Sequence, residues 1–152
     1  MYCGRISGSL IDFGTNFIHL SNYYYCTHMQ SIPFTIPNIN HGFFTAEGLI
    51  KLEDDYLHLE YHYKDGIIGA YKGDVARRKI PVGKLEEVRL KRRLFSHYLQ
   101  LRASSLTVFE DLPGVDGSVL SLKIARKYRR QADRMVSEVS ILLSEIQLDS
   151  IE

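Results

Sequence analysis

The stretch Tyr128-Arg-Arg-Gln-Ala-Asp-Arg-Met-Val-Ser-Glu-Val-Ser-Ile-Leu-Leu-Ser-Glu-Ile146 decides the fold. Ala132, Met135, Val136, Val139, Leu142, Leu143 and Ile146 recur at intervals of three and four, which lays an apolar stripe along one side of a helix of about five turns. Arg129, Arg130, Arg134, Ser137 and Glu138 take the other side, with Ile141 as an apolar exception. Such a helix is not stable alone. It must pack on something apolar, and the patterns upstream supply only the inner face or open end of a sheet.

Those upstream patterns change period from 3.6 to 2. In Tyr56-Leu-His-Leu-Glu-Tyr-His-Tyr-Lys64, Leu57, Leu59, Tyr61 and Tyr63 fall on one face and His58, Glu60 and His62 on the other, the mark of a half-buried strand. It pairs with Gly48-Leu-Ile-Lys-Leu-Glu53 across a turn at Asp54-Asp55. Asp65-Gly66 is a turn signal, followed by Ile67-Ile-Gly-Ala-Tyr71 as a strand, a turn at Lys72-Gly-Asp74 and a strand over residues 75–81. After a short connector at residues 82–87, residues 88–95 and 98–102 read as strands, the latter with Leu99 and Leu101 inward. Residues 106–109 fit either a short strand or a helical turn. Leu112-Pro-Gly-Val-Asp-Gly117 is a turn, and residues 118–124 are the last strand.

Ahead of this lies Ile32-Pro-Phe-Thr-Ile-Pro-Asn-Ile39, where Pro33 and Pro37 remove ladder donors and favour an extended edge segment. The expected organisation is an extended proline-containing lead-in over residues 32–40, one domain over residues 41–147, and a tail at residues 148–152. Residues 1–31 stand apart, with one Arg, one Asp, both cysteines and no sustained period. They fit a poorly ordered tail, or an upstream extension of a product whose translation begins at Met29.

A chain of 152 residues is one domain by length and buries a core without staples. Cys3 and Cys26 have no zinc-ligand spacing. No run approaches the roughly 18 apolar residues needed to span a bilayer, and a cytoplasmic location is expected. Net charge is only +1, which speaks against a dedicated nucleic-acid binder, but the charge is uneven. Residues 1–71 carry three Lys/Arg against seven Asp/Glu, residues 72–134 sixteen against seven, and residues 135–152 none against four. A basic middle between acidic ends steers anionic partners.

Six or seven short antiparallel strands closed by one terminal amphipathic helix, a mainly β barrel or sandwich plus one α-helix, resembles the pleckstrin-homology-like barrel, and in particular its bacterial members. The likeness rests on the hairpin at residues 49–64, the Arg77-Arg-Lys-Ile-Pro-Val-Gly-Lys-Leu-Glu-Glu-Val88 segment and the closing helix. The resemblance implies a scaffold that binds phosphoinositide head groups in some members and peptides or proteins in others. Head-group binding needs basic residues at the first strand–strand loop, where this reading finds Glu53-Asp54-Asp55 instead.

Three groups of side chains are candidate sites. His58, Glu60 and His62 have the chemistry of transition-metal ligands, but alternate strand residues sit about 6.5–7 Å apart, so a shared ion needs bending and a further ligand; the plain reading is a solvated polar face. Arg77, Arg78 and Lys79, with Lys91, Arg92 and Arg93, and with Arg126, Lys127 and Arg130, hold the excess positive charge. If they converge they form an anionic-partner site; otherwise they are edge-blocking charges. Cations at the start of a helix also oppose its dipole, and Asp133 stands where it can compensate Arg129 and Arg130. No Gly-rich phosphate loop, nucleophile elbow or HExxH motif is present, so no catalytic residue and no cofactor is expected. The expected role is non-enzymatic binding, to a protein partner or its own copy, with an anionic membrane surface or other anionic partner as the alternative.

Overall fold

The computed structural model describes residues 31–149, so the expectations about Met29, Cys3 and Cys26 lie outside the described residues. Among those residues eight antiparallel strands form one sheet, followed by a single α-helix. The strands are β1 (Ile32–Ile39), β2 (Phe44–Glu53), β3 (Tyr56–Asp65), β4 (Tyr71–Pro81), β5 (Leu85–Arg92), β6 (His97–Ala103), β7 (Val115–Asp116) and β8 (Val119–Ile124), and the helix is α1 (Arg129–Asp149). Short 3-10 turns lie at Val82–Lys84, Leu106–Phe109 and Arg126–Tyr128. No helix among the described residues is long and apolar enough to cross a membrane.

The hydrogen-bonded order is β4-β3-β2-β1-β8-β6-β5, with the short β7 beside β8. Two halves therefore meet where β1 pairs β8, and that seam is only Phe34 opposite Ile124 and Thr35 opposite Lys123. The edge strands β4 and β5 are consecutive in the chain, joined by the turn at Val82–Lys84. Val82 is fully buried there, and its N–H donates to the Asp55 carbonyl at 2.8 Å. Helix α1 packs on β5 and on this turn, covering the place where the sheet stops. Ala132, Met135, Val139 and Leu143 are buried, while Val136, Leu142 and Ile146 flank them half-buried, as the stripe requires. At the far end Ile146 rests over Gly83, where a Cβ would approach its Cγ2 to 3.4 Å.

The strand alternation holds at Leu57, Leu59 and Tyr61 on β3 and at Leu99 and Leu101 on β6, all buried. Gly48 of β2 lies against β3 so closely that a Cβ would meet the Glu60 carbonyl oxygen. Other expectations are corrected. Residues 32–40 are not a lead-in or an edge: β1 is central, with Ile32, Phe34 and Ile36 buried. Pro37 falls in the register shift between Ile36 and Ile39, where the ladder with β2 is already broken; Pro33, opposite Leu49, leaves that ladder one donor short, while Phe34 and Thr35 make the two rungs with β8. Residues 67–70 form no strand. Asp65 accepts the N–H groups of Ile67 and Ile68 at 2.9 and 3.1 Å and closes a turn instead. The Lys72-Gly-Asp74 segment is no turn but part of β4, carried past a bulge opposite residues 61–63 by Gly73 at φ +76°. Leu106–Phe109 is a 3-10 turn, with Phe109 buried. Strand β5 stops at Arg92, not residue 95, and α1 runs three residues past Ile146, through Leu148 and Asp149 of the expected tail.

The helix orientation gives a direct test. Leu143→Ala, at a buried position, is expected to lose about 2–5 kcal/mol of stability in urea unfolding. Ile141→Ala, 61% exposed on the same helix, stays within about 0.5 kcal/mol of the parent; equal losses would contradict the packing. A second test is the acid limb. The backbone N–H groups of Ile68 and Ile67 hold the Asp65 carboxyl below its usual range. Its stabilising effect is therefore complete above the unfolded carboxylate value of about 4 and is lost as pH falls through the lowered folded value. Asp65→Asn keeps an acceptor that does not titrate, so thermal melts should fall less steeply with acid; an identical acid limb would count against this cap.

Candidate functional site

One corner of the molecule concentrates unpaired positive charge, and strand pairing explains how. Strand β5 ends at Arg92 and β6 begins at His97, with the Arg93 N–H donating to the Ser96 carbonyl at 3.0 Å. Leu94 and Phe95 are thus the tip of a tight hairpin. His97 is opposite Arg92 on one side and Ile124 on the other. Three adjacent strand ends span about 10 Å, so the chain leaving β8 enters Arg126–Tyr128 and α1 beside the hairpin.

A single carboxylate joins the two basic groups. Asp133 of α1 accepts from Arg92 Nη2 at 3.2 Å and lies 3.6 Å from Arg129 Nε. The anticipated local compensation of the helix start is present for Arg129 and not for Arg130, and the same carboxylate captures a strand residue. On the outer sheet face Lys91, Tyr98 and Lys123 form one rung. The Arg93 guanidinium lies 5.4 Å from the Tyr98 ring centre, and the Lys127 ammonium 4.9 Å from that of Tyr128. Lys91, Arg93, Lys123, Arg126, Lys127 and Arg130 form no ion pair among the described residues.

The third basic group does not join them. Arg77, Arg78 and Lys79 lie on β4, at the other end of the hydrogen-bonded path. Arg77 pairs with Glu60 at 3.2 Å and Arg78 with Asp111 at 3.7 Å. Of the three groups whose convergence the sequence left open, Asp133 links two, while Arg77 and Arg78 of the third are paired elsewhere. The residues with metal-ligand chemistry have other occupations: Glu60 holds Arg77, His58 Nε2 lies 3.8 Å from Glu53, and His62 stands edge-on to Tyr71 at 4.3 Å. Among the described residues no three His, Cys, Asp or Glu side chains are grouped as a metal ion requires.

The acidic turn is also reassigned. Glu53-Asp54-Asp55 links β2 and β3, so the first strand–strand loop is residues 40–43, Asn-His-Gly-Phe, with no Lys or Arg. Lys51, hydrogen-bonded to Glu53 at 2.9 Å, holds that carboxyl below its usual range.

The tip itself was hidden in the sequence. Leu94 and Phe95 read as the end of a strand, yet they are 81% and 88% exposed. The signal that could have shown it is the Lys-Arg-Arg run, which ends the apolar alternation of β5 ahead of them. Lys123 and Tyr98 were missed because only strand pairing sets them beside Lys91. A second apolar pole lies elsewhere: Phe43, Ile67, Ile68 and Tyr71 are exposed around the turn that follows β3. A groove of about 570 Å³ lined by Ile39, Phe44, Tyr63, Lys72, Leu112 and Pro113 is separate from them.

Because Arg92 and Asp133 are both solvent-accessible, Asp133→Asn should lower stability by less than about 1 kcal/mol in urea unfolding. A loss of several kcal/mol would mean that the corner is held by this pair and not by the packing of α1. No family model, curated protein or solved structure matches the chain.

Proposed function

We propose that this chain is a non-enzymatic binding module on a pleckstrin-homology-like scaffold, working in the cytoplasm, and that it docks an anionic partner on the corner formed by Lys91, Arg92, Arg93, Lys123, Arg126, Lys127 and Arg130. The scaffold reading is supported by the element order, a four-stranded half and then a second half closed by one amphipathic helix. The observation that carries the binding reading is the shared carboxylate: Asp133 draws two basic groups together while neutralising only part of their charge. The helix start adds its own positive potential, so cations placed there raise the field that an external anion relieves.

Binding to heparin, a generic polyanion, tests this. The parent protein should bind at low salt and release at high salt, since exposed charges are screened within about 10 Å at 0.1 M. Lys91→Glu with Arg93→Glu and Arg126→Glu should weaken binding at least about tenfold, because opposed charges across an interface cost affinity. Arg77→Glu with Lys79→Glu should change it little, and Asp133→Asn should strengthen it. No binding at low salt, or equal loss from the β4 pair, would contradict the assignment.

The second apolar pole favours a further reading, self-association through Phe43, Ile67, Ile68 and Tyr71, since exposed apolar clusters of this kind mark contact surfaces. Sedimentation at rising concentration tests it: a dimer abolished by Ile67→Asp supports it, and a monomer throughout removes it.

A further inference from the structure

We propose that the anionic partner is a lipid bilayer bearing anionic head groups, and that Leu94 and Phe95 enter it. This rests on the anionic-partner reading and adds what the partner is. Two-residue hairpin tips are normally built from Gly, Asn or Asp, which accept positive φ and face water. Here neither tip residue has positive φ, so no conformational demand selects these side chains. Neither packs in the core, since both are more than four-fifths exposed. Folding does not account for a Leu-Phe pair held out into water.

What surrounds the tip indicates its counterpart. Lys91 and Arg93 precede it in the chain, and Arg126 and Lys127 lie beside the same strand ends. An apolar point with cations beside it matches the layering of an anionic bilayer surface, with acyl chains beneath and phosphates around. The long Lys and Arg side chains reach the phosphate level while the tip sits deeper. A nucleic acid offers nothing for Leu94, and the tyrosine rings beside the cations, Tyr98 and Tyr128, already lie against Arg93 and Lys127. The Ile67-Ile68 turn is as apolar, but the nearest charge in its own turn is the Asp65 carboxylate. Two side chains hold a protein on a bilayer only weakly, so insertion and charge must act together.

The absence of Trp makes the experiment direct. In full-length protein carrying Phe95→Trp, vesicles of phosphatidylcholine with phosphatidylserine should shift the emission to the blue, and acyl-chain-brominated lipid should quench it. Ile67→Trp should show neither change. Leu94→Ser with Phe95→Ser, at exposed positions, should keep the parent melting temperature and heparin binding but lose at least about tenfold in vesicle affinity. An indole that stays in water on bound vesicles, or unchanged affinity of the double variant, overturns insertion and leaves the charge reading standing. Binding to heparin or a duplex DNA oligonucleotide without binding to the vesicles at low salt overturns the bilayer as partner. Failure to bind heparin as well overturns the underlying reading.

Discussion

The packing of the α1 stripe across β5 and the Val82–Lys84 turn is the constraint on which the rest of the structure depends. The sheet is one hydrogen-bonded path, but its halves meet through two rungs and its edge strands are not paired to each other. Left uncovered, that arrangement would open the buried faces of Val82, Leu85 and Val88 to water. Ala132, Met135, Val139 and Leu143 close it. Each buried Leu or Met contributes roughly 1.5–3 kcal/mol relative to exposure, far more than any surface ion pair of the corner.

That packing also creates the corner. The helix must begin where β8 ends, and β8 lies beside β6, whose first residue is opposite the last residue of β5. Three strand ends and a helix start therefore meet: β5, β8 and the helix start carry Lys or Arg there, and β6 contributes Tyr98 between Lys91 and Lys123. Asp133, one turn into the helix, touches both sides. The cost of cations at a helix start is about 0.3–1 kcal/mol each when exposed, a modest load for a core of this size.

Much of the fold was legible because burial follows period. Leu57, Leu59 and Tyr61 alternate, Leu99 and Leu101 alternate, and the α1 stripe repeats at three and four, so each element announces its buried side locally. Strand partners do not. The central place of β1 depends on Phe34 and Thr35 meeting residues almost ninety positions on, and two prolines pointed the other way. The turn at residues 66–68 was hidden by two isoleucines, and the hairpin tip by Leu94 and Phe95, since apolar residues in turns mimic strands. Of the site, the two basic groups that meet were both visible. Their meeting was not, because Arg92 and Asp133 are 41 residues apart and only the tertiary fold unites them.

The most direct test of the account is residue-resolved mapping: amide chemical shifts of the labelled full chain, recorded while a small heparin fragment is titrated in at low salt. The account predicts that the largest changes fall on residues 91–95, on Lys123 and on residues 126–133, with β4 and the Ile67-Ile68 turn unmoved. Changes centred on Arg77, Arg78 and Lys79, or spread evenly over every Lys and Arg, would contradict the claim that the meeting of hairpin and helix makes one binding surface.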